Sequence, residues 1–215
     1  MRNEKDWTGN SKTAFVQLGA SSHSEGEREE NDYYATDPKA IDDLFAKEEF
    51  SGRIWECAAG GGHLAKRMRE LGKEVFCSDI VDRGYEDELV DFMIDGRKWD
   101  GDIITNPPYK YCSEFILSAL NRVGAGHKVA MFLKLQTLEG QDRYEKIFSK
   151  YPPRHVYVYV KRIQCGKNGD FTGTSAVCYA WFVWEKGYKG SPEIGWIAPD
   201  LTEQKYEQMS LFEEE

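Results

Sequence analysis

From residue 53 to residue 148, short strand-like runs alternate with helix-periodic segments, and this alternation is the strongest constraint on the fold. Arg53 to Cys57, Val75 to Cys77, Leu89 to Ile94, Ile103-Ile104 and Val129 to Leu133 read as strands. A helix is expected from about His63 to Leu71, stopped by Gly72. Phe115, Ile116, Ala119 and Leu120 give a second helical face, and Tyr144, Ile147 and Phe148 a third. Upstream, Thr36-Asp37-Pro38 predicts a helix start, with Ile41, Leu44 and Phe45 on one face. Downstream, Val156 to Val160 and Ala176 to Trp184 are strongly strand-like. Asn168-Gly169 between them is a hairpin signal. The pattern predicts an α/β fold: a doubly wound, mostly parallel sheet with a C-terminal antiparallel hairpin at its edge.

With 215 residues, one domain is expected. The hydrophobic content of 40% is low, and the deficit lies at the ends. Residues 1–31 read as a flexible arm, 32–187 as the folded domain and 188–215 as an acidic tail. No run is apolar enough to span a membrane, and no secretory signal opens the chain, so a cytoplasmic location is expected. Five scattered cysteines without a C-x-x-C pair fit reduced thiols, and with the histidines they form no metal pattern. The net charge of −9 argues against non-specific coating of nucleic acid, while leaving room for a local basic patch.

Doubly wound sheets bind ligands at the C-terminal ends of their strands, where four groups are expected. Glu56 to Gly62 joins a strand to a helix, with glycines that permit φ > 0 and a close backbone approach. The spacing is neither G-x-G-x-x-G nor a phosphate loop, and alone it reads better as a plain tight turn. Asp79 ends the next strand, where a carboxylate accepts from a ribose diol or caps a helix. Asp91-Phe92 follows the third strand, as an acceptor and ring for adenine or as a surface acid beside a core ring. The fourth group is Asn106-Pro107-Pro108-Tyr109. An exocyclic amine on an aromatic base is a poor nucleophile because its lone pair is delocalised. The Asn106 amide oxygen and the Pro107 carbonyl would accept its two hydrogens and localise that pair. Proline rigidity holds the acceptors in place, and Tyr109 offers a ring for stacking.

In this order the motifs resemble those of S-adenosylmethionine-dependent amino methyltransferases. More narrowly they resemble DNA adenine-N6 methyltransferases of the NPPY type, many of them phage-borne, over roughly residues 33–185. The resemblance implies a Rossmann-like class I methyltransferase fold and S-adenosylmethionine as cofactor. Glu56, Ala58, Gly60 and Gly62 would cradle its methionine part. Asp79, with Ile80 beside it, would take the ribose, and Asp91 with Phe92 the adenine. Thr36 and Pro38 would close over the amino-acid end. DNA contacts fall to Lys110, Lys161, Arg162 and Lys167, each also readable as a solvated charge. Many relatives carry a Phe in the terminal hairpin that stacks on the extruded base. Here that place reads Arg162 to Cys165, and Phe171 is the candidate replacement. Little chain follows Trp184, so target recognition is expected to be minimal. The same four-residue word also serves methyltransferases of a guanine amine in ribosomal RNA and of a protein glutamine. A non-catalytic cofactor- or partner-binding protein is a further class.

Near the C-terminus, Gln208-Met209-Ser210-Leu211-Phe212 places one apolar pair in an acidic stretch. It docks on its own domain, frays, or binds a partner. The pentapeptide resembles the signal by which bacterial replication and repair proteins attach to the sliding clamp, with Leu211 and Phe212 as apolar anchors and Gln208 setting the register. A peptide of residues 199–215 titrated with a bacterial clamp should bind with an affinity of roughly micromolar order. Joint Leu211→Ala and Phe212→Ala substitution should abolish the fluorescence-polarisation signal, and an unchanged signal would exclude the clamp reading.

Overall fold

The computed structural model describes residues 35–163, 165–166 and 177–198. An eight-stranded sheet organises them. It comprises β2 (Arg53–Glu56), β3 (Glu74–Asp79), β4 (Glu88–Leu89), β5 (Asp102–Thr105), β6 (Lys128–Lys134), β7 (His155–Tyr159), β9 (Tyr179–Glu185) and β10 (Glu193–Ile197), in the order β10-β7-β9-β6-β5-β2-β3-β4. Only β9 runs antiparallel to its neighbours. Separately, β1 (Ala35–Thr36) pairs antiparallel with β8 (Cys165–Gly166) as a two-stranded ribbon.

Period-two alternation divides the core between the two faces of the sheet. Phe132 of β6 and Trp181 and Val183 of β9 pack with Ile41 and Leu44 of α1 (Lys39–Phe45) and with Leu64 and Met68 of α2 (His63–Glu70). On the other face, Val129, Met131 and Leu133 of β6 and Phe182 and Trp184 of β9 meet Phe115, Ile116 and Leu120 of α3 (Cys112–Arg122). A strand apolar on both faces belongs in the sheet's interior. Accordingly β9 inserts between β6 and β7; with β7 it makes the expected antiparallel pair, and β10 lies outside that pair.

Two other segments differ from expectation. The third strand stops at Leu89, because Asp91 Oδ1 accepts the Met93 N–H at 2.9 Å and turns the chain. Residues 193–197, read as part of the acidic tail, pair parallel with β7 as the outermost strand. Gly195 lets the Tyr157 ring pack close there, since a Cβ would fall 2.8 Å from Tyr157 Cδ1 and force it to shift. The Asn168-Gly169 turn lies outside the described residues. Among those that are described, no helix is long and apolar enough to cross a membrane.

The N-terminal ends of the parallel strands are bound together by internal charge. Asp102 accepts the backbone N–H of Ser51 at 2.6 Å and of Lys128 at 2.7 Å. Glu48, just beyond α1, accepts from Lys128 Nζ at 2.6 Å, from Tyr157 Oη at 2.8 Å, and contacts His155 Nδ1. Burial opposes its ionisation, but the Lys128, Tyr157 and His155 contacts outweigh that and hold the carboxyl below its usual range. A depressed folded pKa stabilises above the unfolded value, and the contribution is lost as pH falls through the folded one. Glu48→Gln should therefore cost about 2–3 kcal/mol at pH 7. In denaturant titrations the gap from wild type should close as pH falls below the carboxylate range.

Candidate active site

The sheet's C-terminal edge opens into a cleft of about 870 Å³, solvent at its mouth included. One wall is acidic. Glu56 ends β2, Asp79 ends β3, and Asp91 follows β4; Ala58, Ile80 and Phe92 line the cleft beside them. Asn106-Pro107-Pro108-Tyr109, immediately after β5, lines the same cleft. Thr36 of the ribbon completes it.

Glu56 is 1% exposed. Its Oε1 accepts the Ala58 N–H at 3.4 Å, while its buried Oε2 has no hydrogen-bond partner among the described residues. Burial pushes its carboxyl up to about 8, and the Asp79 charge adds to the effect. A buried carboxyl oxygen without a partner, in a residue that lines the cleft, is the kind of group that a cationic ligand donor satisfies by drawing the carboxyl into its charged form. Asp79 instead has both oxygens engaged. Oδ2 accepts the Gly60 N–H at 2.8 Å, and Oδ1 accepts the Val81 N–H at 3.0 Å and Arg83 at 3.2 Å. Those bonds fix the carboxylate on the loop and leave lone pairs for a hydroxyl.

Several residues expected at the ligand also make contacts within the chain. Gly60 (φ 54°) and Gly62 (φ 77°) shape the turn into α2 without lining the cleft. At Gly62 a Cβ would lie 2.0 Å from the Tyr85 ring, so the close approach there serves Tyr85. Pro38 opens α1 and does not line the cleft either. Thr36 is not the helix cap; Asp37 is, accepting the Lys39 N–H at 2.9 Å. Thr36 is 3% exposed and its Oγ1 accepts from Asn106 Nδ2 at 2.8 Å. Phe92, 2% exposed, stacks on Phe115 at 5.2 Å and carries the Arg122 guanidinium 4.3 Å from its centroid, so its face contacts are made within the core.

Tyr109 begins a single 3₁₀ turn, Tyr109–Tyr111, closed by the Tyr111 N–H on the Pro108 carbonyl at 2.9 Å. Its ring lies 5.8 Å from Tyr179, and Lys134 Nζ lies 4.9 Å from its centroid. Lys110, Lys161 and Arg162 are exposed and follow the C-terminal ends of β5 and β7, the edge on which the cleft opens. Lys167, Phe171 and Gln208 to Phe212 lie outside the described residues.

Among the lining residues outside the expected motifs are His63 and Arg83. His63 opens α2, and burial lowers its pKa. Arg83 has no motif; only its spacing of four from Asp79 could have marked it. Among the described residues no group of three His, Cys, Asp or Glu side chains is placed to hold a metal ion.

No protein-family model and no curated protein sequence matches the chain. Solved structures do. A predicted O-methyltransferase from Agrobacterium tumefaciens superposes with a TM-score of 0.53 at 16% identity, over 76% of this chain and 86% of that one. TrmN from Thermus thermophilus gives 0.48 at 18% identity, over 69% of this chain and 48% of that one, so the chain spans about half of TrmN. An S-adenosylmethionine-dependent O-methyltransferase from Thermotoga maritima gives 0.48 at 12% identity, over 72% of this chain and 67% of that one.

Glu56 supplies the prediction from this geometry. A folded pKa raised above the unfolded value gives stability that is present at low pH and is lost as pH rises to the folded value. Glu56→Gln should match the wild type near pH 4 and exceed it increasingly up to about pH 8, at about 1.4 kcal/mol per pH unit at most. Melting profiles of the ligand-free proteins that stay parallel with pH would contradict a neutral buried carboxyl. Taken with the sheet order, the likeness to the Agrobacterium structure establishes one thing about this chain: it has the fold of the class I methyltransferases.

Proposed function

We propose that the protein is an S-adenosylmethionine-dependent methyltransferase acting on the exocyclic N6 amine of adenine in DNA. The observation that carries this reading is the placement of Asn106-Pro107-Pro108-Tyr109 at the end of β5, in one cleft with Glu56, Asp79 and Asp91.

The residues present fit the cofactor. The orphaned Glu56 Oε2 suits the donors of its amino-acid arm, and Asp79 suits the ribose hydroxyls. Asp91, with Met93 and Phe92 beside it, suits the adenine. When bound, S-adenosylmethionine supplies an electrophilic methyl group on a sulfonium. The chain's own part is to prepare the amine. Asn106 Oδ1 and the Pro107 carbonyl accept its two N–H groups, which draws the lone pair out of the ring and aims it. Tyr109 stacks on the extruded base. Tyr179 packs beside its ring, and Pro107 and Pro108 limit backbone motion. Lys110, Lys161 and Arg162 supply phosphate contacts around the cleft mouth. Lys167, read as a phosphate contact, and Phe171, read as a base-extruding ring, lie outside the described residues.

The test uses labelled cofactor with DNA, RNA and protein in separate incubations. Label should enter DNA. Asn106→Ala should leave cofactor affinity within a few-fold of wild type by calorimetry. Turnover should fall by about two or more powers of ten, because the acceptor acts mainly in the transition state. Label entering only RNA or only protein would replace the substrate assignment. Binding of cofactor without transfer to any of the three would make the protein a non-catalytic binder.

A further inference from the structure

The ribbon over the cleft joins two segments far apart in sequence. Thr36 lies opposite Cys165 in the β1–β8 pairing, and its side chain points to the end of β5, 70 residues away. There Thr36 Oγ1 accepts a hydrogen bond from Asn106 Nδ2 at 2.8 Å. Thr36 is 3% exposed and Ala35 beside it also 3%, so the hydroxyl is held in a buried, packed segment.

This contact has a specific chemical consequence. An amide side chain rotates easily about its terminal torsion, and its two ends are opposite in character: Nδ2 donates and Oδ1 accepts. If Nδ2 turned toward an incoming amine, donor would meet donor. A hydroxyl can donate as well as accept; in the structure the Thr36 oxygen accepts from Nδ2, and that contact pins the amide plane with Oδ1 as the other end, toward a substrate N–H. Placement of an acceptor before reaction is the condition under which it lowers a barrier without reorganising.

We propose that Thr36 is a positioning residue for Asn106: its hydroxyl sets the rotation of the Asn106 amide, and so the amine-accepting face of the site, rather than binding cofactor. The proposal rests on the reading of Asn106 as the acceptor of the substrate amine. It assigns the N-terminal ribbon to catalysis, and it makes the hydroxyl, not the size of the side chain, the feature that matters.

Thr36→Val keeps the shape and removes the acceptor; Thr36→Ser keeps the acceptor and removes a methyl group. With the full chain and labelled cofactor, Thr36→Val should lower kcat for DNA by about 10- to 100-fold, the range for losing a preorganising contact. KM for DNA and cofactor affinity by calorimetry should stay within about three-fold. Thr36→Ser should restore most of kcat. A second readout needs no substrate: in ¹⁵N-resolved NMR spectra, the Asn106 side-chain NH₂ pair, assigned by its loss in Asn106→Ala, should exchange slowly with water in wild type and Thr36→Ser and faster in Thr36→Val. Wild-type kcat in Thr36→Val while Asn106→Ala is inactive would overturn the proposal alone. So would a loss confined to cofactor affinity, or equal NH₂ exchange in all three proteins. An Asn106→Ala enzyme as fast as wild type would instead overturn the catalytic reading of Asn106, and the exchange measurement would still decide whether Thr36 orients the amide.

Discussion

Covering the sheet on both faces is the constraint from which the rest follows. Trp181 and Phe182 are adjacent in β9 and both fully buried, one on each face. With apolar residues required on both sides, no strand interior has room for chemistry. Polar groups can appear only at the strand ends, and parallel strands bring those ends together. Glu56, Asp79 and Asn106 are neighbours because β2, β3 and β5 are neighbours and run the same way.

The two ends of the sheet use buried charge in opposite ways. At the N-terminal end, Glu48 and Asp102 are surrounded by donors from the chain itself. These carboxylates tie α1 and the strand starts together and offer little to a ligand. At the C-terminal end, Glu56 is just as buried but keeps an oxygen without a partner among the described residues, and burial raises its pKa. A buried acceptor left unsatisfied is costly. A perturbed, unsatisfied group lining a cleft marks a candidate binding site.

The parallel sheet was legible because its strands alternate with helices of adequate length. The place of Asn106 at a strand end was legible because two prolines after a strand leave few alternatives for the backbone. What the sequence hid was mostly competition between equivalent local partners. Thr36-Asp37-Pro38 contains two residues able to cap α1. Asp37 takes that role and frees Thr36 for Asn106, a choice that tertiary contact decides. Glycines 60 and 62 carry the same positive φ whether they face a ligand or a ring, and at Gly62 the neighbour is Tyr85. The insertion of β9 was partly visible, since Tyr179 to Trp184 lacks the polar alternation of an edge strand. Strand β10 was hidden by its exposed Glu193, Ile194 and Trp196, which read as tail until β7 supplies a partner.

The central claim is that the Asn106 wall prepares an amine on a purine six-membered ring. DNA methylated by the purified protein, digested to nucleosides and resolved by mass spectrometry, tests it directly. The expected product is N6-methyladenine with no other methylated base above background. Methyl groups found on cytosine carbon, or on any oxygen, would contradict the role assigned to Asn106 and Pro107.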